Sequence, residues 1–131
     1  MLKIHSDLPD DLESLVTQTI GCCIEVHRAL GPGLNENVYR RACEVELGLC
    51  GISFEAELPL PIRYRDHLLC HQRVDLFVDG RLVLEVKSVE RLHPVHVAQT
   101  VSYLRLTRVR VGLVVNFNVE VLKQGIRRVI L

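Results

Sequence analysis

The chain has 131 residues, with sixteen cationic and sixteen anionic side chains and a net charge of zero when histidine is neutral. This length suits a single domain over residues 1–131, and the zero net charge excludes a generally basic nucleic-acid-binding surface. No apolar run reaches the length of a membrane span, and the first residues lack a signal peptide's apolar segment, so we expect a cytoplasmic protein without membrane contacts.

Two helices are predicted at the start of the chain. Helical periodicity indicates a first helix over residues 10–30, which Gly31-Pro32-Gly33 ends. Asn35 can cap a second helix over residues 36–49, because its side chain can accept a bond from a free backbone N–H group. The apolar positions expected to face the core are Leu12, Leu15, Val16, Ile20, Cys23, Val26, His27 and Leu30 in the first helix, and Tyr39, Ala42, Cys43, Val45 and Leu47 in the second.

Strands dominate the rest of the chain. Four strand-like segments, with a hairpin tip at Arg65-Asp66-His67, precede a third helix and two further strands, which gives the order α-α-β-β-β-β-α-β-β. Val109 to Phe117 is almost wholly apolar and suits a central strand covered on both faces. The segments are the strands 53–58, 60–64, 68–78 and 82–86, the helix 94–107 with Val97, Val101 and Leu104 facing inward, and the strands 109–117 and 125–131.

The cysteines are an odd number without CxxC spacing: Cys22, Cys23, Cys43, Cys50 and Cys70. We interpret all five as reduced, and most of them as core residues. A zinc site that uses Cys23 and His27, which are four residues apart on the first helix, is the less favoured alternative.

Acidic and basic residues occur within two apolar strands, Arg73–Val78 and Leu82–Lys87. Side chains alternate between the faces of a strand, so the apolar residues of both strands should line one side of the sheet. Asp75, Glu85 and Lys87 then share the opposite side with Phe77 and Val83. Two carboxylates and a lysine on one half-buried face are costly, and such a cluster is typical of a metal site or of catalysis. The apolar side comprises Val74, Leu76, Val78, Leu82, Leu84 and Val86.

This arrangement constrains the turn at Asp79-Gly80. A regular two-residue loop there would pair Asp75 with Leu84 and would place Glu85 on the wrong face. The alternation therefore predicts a loop with an odd number of residues, or a bulge, with Gly80 in the left-handed conformation.

Four motifs, in order, resemble a known family. Asp75 followed by Glu85-Val86-Lys87 is the D…ExK pattern of the PD-(D/E)XK nuclease superfamily, although Val74 replaces the usual proline before the aspartate. The other three are Gly33–Tyr39 (GxxExxY), Gln99–Tyr103 (QxxxY) and Gly112–Phe117 (a GLLINF-like strand). The chain thus resembles the GxxExxY proteins of that superfamily over nearly its whole length. The resemblance implies an α/β fold with a mixed central sheet, flanked by helices, whose central hairpin carries the acids.

The resemblance also implies metal-dependent hydrolysis of phosphodiester bonds. Mg²⁺, or alternatively Mn²⁺, takes oxygen ligands and activates water. Asp75 and Glu85 are the expected ligands, the Val86 carbonyl is a third, and Glu36 would hold a metal-bound water or a second metal. Lys87 would orient or deprotonate the attacking water or stabilise the transition state. The alternatives are a salt bridge from Lys87 to either acid, and a Glu36 that only stabilises the start of its helix.

Two residues of the third helix complete the expected site. Gln99 and Tyr103 are four residues apart and share a face, so Gln99 would bond a site carboxylate, Lys87 or the substrate while Tyr103 contacts phosphate. The alternative is an ordinary half-buried helix face. We expect Tyr39 to pack, with its hydroxyl bonded near the site, and His27 to be a core histidine.

The leading hypothesis for function is a nuclease that acts on DNA, with RNA not excluded. A neutral chain of this size should bind nucleic acid weakly, so we expect nonspecific cleavage, a homodimer or a protein partner. One alternative is a non-catalytic binding or assembly subunit that retains the metal site. Another is a structural domain with a buried ion-pair network.

Overall fold

Three helices and five strands follow one another along residues 8–131, the part of the chain that the computed structural model describes. The elements are α1 (Asp10–Leu30), α2 (Glu36–Leu49), β1 (Phe54–Tyr64), β2 (His67–Val78), β3 (Leu82–Lys87), α3 (Pro94–Thr107), β4 (Val111–Asn116), a short 3₁₀ helix (Leu122–Gly125) and β5 (Ile126–Ile130). None of the helices in this range is long and apolar enough to cross a membrane.

The strands form one mixed sheet in the order β1-β2-β3-β4-β5. Strands β3 and β4 are parallel, and the other neighbouring pairs are antiparallel. Helix α3 connects the two parallel strands, as a parallel pair requires a crossover. The predicted α/β fold class is confirmed.

Strand β1 replaces the two strands predicted over residues 53–58 and 60–64. Pro59 and Pro61 suggested an interruption, but β1 lies at the edge of the sheet. Proline is tolerated there because one side of an edge strand needs no ladder hydrogen bonds. The hairpin tip lies at Arg65 and Asp66, both with positive φ, between the paired residues Tyr64 and His67.

Local signals set the helix ends. Asn35 caps α2 and accepts a bond from the Val38 N–H at 3.2 Å. His93 caps α3. Its ring accepts a hydrogen bond from the Val95 backbone N–H, and the His93 backbone N–H donates to His96 Nδ1 at 3.0 Å. Pro94 takes the first helical position, as predicted.

Two apolar clusters cover the two faces of the sheet. The first joins α1 and α2 to the strands, and the second joins α3 to them. Strand β4 is buried at every position and contributes Leu113 to the first cluster and Val114 to the second. This confirms the predicted strand that is covered on both faces. Gly112 lets α3 approach, because a Cβ there would lie 2.8 Å from Thr100 Cγ2.

Two predicted core positions of the helices are wrong. Leu30, the last residue of α1, is 40% exposed, and Val45 of α2 is 64% exposed. Val45 is two residues from both Cys43 and Leu47, and two residues span about 200° around a helix. The buried face of α2 therefore points away from Val45.

The assignment of Val74 to the same face as Leu76 is also wrong. Val74 packs in the second cluster, whereas Leu76 packs in the first. Strand β1 changes face at the corresponding step, since Phe54 packs against the first cluster and Leu58 against the second. Between them, Glu57 has φ of 52°. This left-handed residue interrupts the alternation of side chains between the two faces in β1. The alternation in β2, which pairs with β1, shifts at the same place.

All five cysteines are free thiols. Cys22, Cys23 and Cys43 are buried, and Cys50 and Cys70 are exposed. Cys22 Sγ lies 3.7 Å from Cys50 Sγ. Within residues 8–131, no group of three or more histidine, cysteine and carboxylate side chains is placed to hold a metal ion, so Cys23 and His27 have no third ligand of these types in that range.

Candidate active site

The β2–β3 turn sets the register of the predicted acidic residues. The paired residues are Val78 with Leu82 and Leu76 with Leu84, which leaves three residues in the connection. Gly80 is left-handed with φ of 64°, and Asp79 is also left-handed. The predicted odd loop is therefore confirmed.

Asp75 and Glu85 meet across the two strands. The Val86 N–H donates to Asp75 Oδ2 at 2.8 Å, and the Asp75 N–H lies 3.4 Å from Glu85 Oε1. Glu85 is only 3% exposed. Burial, together with the neighbouring Asp75 carboxylate, raises the pKa of Glu85 to about 9, and the charge of Lys87 acts in the opposite direction. The pair thus holds a proton at neutral pH when no cation is bound.

Lys87 ends β3 beside these carboxylates. Its backbone carbonyl accepts from the Phe117 N–H at 2.9 Å, which holds the end of the strand. The alternative salt bridge to Asp75 or Glu85 is absent, and Lys87 forms no ion pair with any residue that the structure describes. The ammonium group is available to another anion.

Asn116 holds the loop that follows Lys87. It accepts from the Val89 N–H at 3.0 Å and donates through Nδ2 to the Val89 carbonyl at 2.9 Å. Asn116 is 2% exposed. Sequence reasoning did not include it among the site residues, although a polar residue within an apolar strand was a signal that could have identified it.

Glu36 lies in the first turn of α2 and faces the same loop. The Ser88 N–H lies 3.4 Å from Glu36 Oε1, and the Ser88 hydroxyl donates to the Leu34 carbonyl. These contacts dock the start of α2 beside the end of β3. A cleft of about 190 Å³ results, lined by Glu36, Asn37, Arg40, Glu57, Asp75 and Val86.

Three of these cleft residues, Asn37, Arg40 and Glu57, were not predicted. Arg40 donates to Glu44 at 2.7 Å and lies 3.9 Å from Glu57, and Arg73 lies 3.2 Å from the same glutamate. Two guanidinium groups therefore border the acidic cleft. Sequence reasoning missed Glu57 because it belongs to no motif, and its left-handed backbone cannot be inferred from its residue type.

Tyr103 reaches the site from α3, whereas Gln99 does not bond there. The Tyr103 hydroxyl donates to Gln72 Oε1 at 3.3 Å. Burial, with Glu85 and Asp75 nearby, raises the pKa of Tyr103 to about 12, so this hydroxyl stays protonated. The side chain of Gln99 is half-buried and has no hydrogen bond within residues 8–131, so the predicted bond to a site carboxylate or to Lys87 is absent.

Tyr39 and His27 have structural roles, as predicted. The Tyr39 ring stacks on Phe117 with centroids 4.7 Å apart, and its hydroxyl donates to the Gly31 carbonyl. His27 is buried, with Nε2 lying 2.6 Å from the Val119 carbonyl oxygen.

The sequence profile of the PD-(D/E)XK nuclease superfamily matches residues 13–129. The chain belongs to this superfamily. Comparisons with curated proteins and with solved structures found no match. The closer resemblance to the GxxExxY proteins of this superfamily stays a prediction.

Nucleases of the PD-(D/E)XK superfamily generally use divalent metal ions such as Mg²⁺. The donor set here fits such an ion, because Mg²⁺ prefers oxygen ligands and keeps several of its waters. Asp75 and Glu85 supply two carboxylates on adjacent strands, and Val86 lies at the same cleft. A cation would also offset the repulsion that raises the pKa of Glu85.

Proposed function

We propose that this protein is a metal-dependent nuclease that hydrolyses phosphodiester bonds in DNA. The observation that carries the proposal is the contact between Asp75 and Glu85 across β2 and β3, with an unpaired Lys87 two residues beyond Glu85. Membership of a nuclease superfamily supports the same chemistry. We expect the protein to act in the cytoplasm, alone, as a homodimer or with a protein partner.

Asp75 and Glu85 would hold Mg²⁺, or Mn²⁺ as the alternative, with the Val86 carbonyl as a third ligand. When bound, the ion supplies an acidic water and neutralises charge on the phosphate. Glu36 faces the cleft and would accept a hydrogen bond from the attacking water or contribute to a second metal site.

Lys87 and Tyr103 would act on the phosphate. The Lys87 ammonium can stabilise the negative charge that develops on the phosphate oxygens, or can orient the attacking water. Tyr103 keeps its proton because its pKa is raised to about 12, so its hydroxyl can donate to a phosphate oxygen. The side-chain amide of Gln99, on the same helix, makes no hydrogen bond within the described residues and would contact the substrate.

Metal titration combined with a cleavage assay tests the proposal. Mg²⁺ and Mn²⁺ are titrated by calorimetry into the wild-type protein and into Asp75→Asn, Glu85→Gln and Lys87→Met. Cleavage of single- and double-stranded DNA, and of RNA, is measured on the same samples. We expect both acid variants to lose metal binding and cleavage, and Lys87→Met to retain metal binding but to lose cleavage.

Glu120→Gln is the matched control, because Glu120 is an exposed carboxylate that does not line the cleft. It should bind metal and cleave DNA as the wild-type protein does. Metal binding without cleavage of any nucleic acid would favour a non-catalytic subunit. Metal binding that persists in both acid variants would contradict the assigned ligands.

A further inference from the structure

A hairpin arm extends from the sheet beside the active site. We define the arm as residues 61–73, the distal halves of β1 and β2 with their turn. Every residue of the arm except Ile62 is exposed. Large apolar side chains are among them: Tyr64 is 56% exposed, Leu68 49% and Leu69 62%. Two strands with no core behind them gain little from burial, which suggests that a partner covers the arm.

The charge of the arm differs from that of the whole chain. The chain has a net charge of zero, but the arm has one acidic residue, Asp66, against three arginines and two histidines. The basic residues are Arg63, Arg65, His67, His71 and Arg73, of which Arg73 forms an ion pair with Glu57 outside the arm at 3.2 Å. This composition complements a polyanion, because lysines and arginines contribute most of the affinity for nucleic acid by neutralising phosphates.

The tip of the arm combines an aromatic ring with a cation. The Arg65 guanidinium lies 5.6 Å from the centroid of the Tyr64 ring, and Arg65 Nε donates to the Tyr64 hydroxyl at 3.2 Å. Both side chains are exposed. An exposed aromatic ring held next to a guanidinium offers a base a surface on which to stack.

The arm is continuous with the carboxylate site. Strand β2 runs from the arm directly to Asp75, and Gln72 at the base of the arm accepts the hydrogen bond of Tyr103. The six steps along the strand from Leu69 to Asp75 span about 20 Å in extended conformation. That length corresponds to about six base pairs of duplex DNA.

The free edge of the arm disfavours a second copy of this chain as the partner. Pro59 and Pro61 lie on β1, whose outer edge is unpaired. Proline on an edge strand prevents another strand from adding to the sheet. Two copies of the arm would also bring arginines of like charge together.

We propose that the hairpin arm binds the phosphate backbone of DNA next to the active site, with Tyr64 and Arg65 stacking on bases at the tip. This inference rests on the proposed nuclease function. The arm would supply the electrostatic attraction to DNA that a chain of zero net charge otherwise lacks.

Fluorescence anisotropy with a short fluorescein-labelled DNA, single-stranded and duplex, tests the proposal. EDTA prevents cleavage, and salt is varied between about 50 and 200 mM. The variants are Arg63→Ala/Arg65→Ala and Tyr64→Ala. The control is Arg28→Ala/Arg105→Ala, which removes two exposed arginines that lie outside the arm.

We expect the double arm variant to bind DNA at least fivefold more weakly, and the slope of log K against log salt to fall in magnitude by about two. Tyr64→Ala should weaken binding with little change in that slope. The control should keep most of the affinity. Thermal unfolding and size-exclusion chromatography should show an unchanged fold and an unchanged oligomeric state for every variant.

Wild-type affinity in the double arm variant would overturn the arm proposal, and retained cleavage in Mg²⁺ would leave the nuclease function standing. An equal loss of affinity in the control would show that DNA is attracted by the positive charge of the whole surface, and this result would also overturn the arm proposal. A variant that shifts from dimer to monomer would identify the arm as a contact between copies. Absence of cleavage by the wild-type protein would instead count against the proposed function.

Discussion

Glu85 is buried beside a second carboxylate, and its pKa of about 9 links stability to pH. In the folded chain this pKa lies above its ordinary value, so protonation of Glu85 favours the fold. That contribution is complete below the pKa of the unfolded chain, near 4.5, and is lost as the pH rises towards about 9. Without metal, the protein therefore gives up stability in order to keep a potential ligand in place.

Glu85→Gln should stabilise the metal-free protein. Glutamine has nearly the same shape and carries no charge, so at pH 8 in EDTA the free energy of unfolding should rise by about 1 to 3 kcal/mol. The gain should shrink towards pH 5, because the glutamate of the unfolded chain is then itself partly protonated and folding needs less free energy to protonate Glu85. Urea denaturation at both pH values measures this difference. An equal gain at both pH values, or an equal gain in Glu120→Gln, would contradict the explanation.

The thiols should differ sharply in reactivity. Burial raises the pKa of Cys22 to about 12, with Cys50 adding to the effect, and the pKa of the buried Cys23 is raised mainly by its contact with Cys43. Since the thiolate is the reactive form, an aromatic disulfide reagent at pH 8 should modify Cys50 and Cys70 quickly. Cys22, Cys23 and Cys43 should react only on unfolding. Fast modification of more than two thiols in the folded protein would count against this packing.

At the scale of elements, the position of α3 depends on one glycine. A Cβ at Gly112 would lie 2.8 Å from Thr100 Cγ2, 3.3 Å from Leu104 and 3.3 Å from the Val83 carbonyl oxygen. Helix α3 carries Gln99 and Tyr103. A change at Gly112 should therefore affect both stability and the site.

Gly112→Ala should lower the free energy of unfolding by about 1 to 3 kcal/mol, because the helix must move or β4 must shift. Cleavage should fall as well, since Tyr103 moves with α3. Gly21→Ala is the matched control: Gly21 lies within α1 with no atom close to its Cβ position, and alanine should stabilise it by about 0.5 to 1 kcal/mol. A Gly112→Ala variant as stable as the wild-type protein would contradict the close contact.

At the scale of the molecule, the core does not depend on the metal site. The core consists of two apolar clusters, one on each face of the sheet, and Asp75 lies at a cleft between α2 and the sheet. EDTA should therefore leave the far-ultraviolet circular dichroism unchanged. Mg²⁺ at a hundred times its Kd should add about 2.7 kcal/mol of stability, seen as a higher Tm. The variant Asp75→Asn should fold but should not show this increase in Tm. If EDTA unfolded the wild-type protein, the core would depend on the metal, contrary to this prediction.

Much of the fold could be predicted from the sequence because its signals are local. Asn35 and the Gly31-Pro32-Gly33 segment mark helix ends through backbone groups a few residues away. The odd loop at Asp79-Gly80 followed from alternation alone, since a regular turn would have placed Glu85 among apolar residues. The position of Val74 could not be predicted, because the change of face depends on the left-handed Glu57 in the neighbouring strand.

The sequence by itself determined the superfamily and the α/β layers, and it supplied the residues that we propose for the chemistry, because motifs and hydrophobic periodicity depend on residue types and spacing. Only the tertiary structure decided that Lys87 is unpaired and that Gln99 makes no bond to the site. It also decided that Arg40 and Glu57 line the cleft and that residues 61–73 project as a basic arm. These features depend on contacts between distant segments and on backbone angles, and neither is encoded in the spacing of residues along one strand or helix.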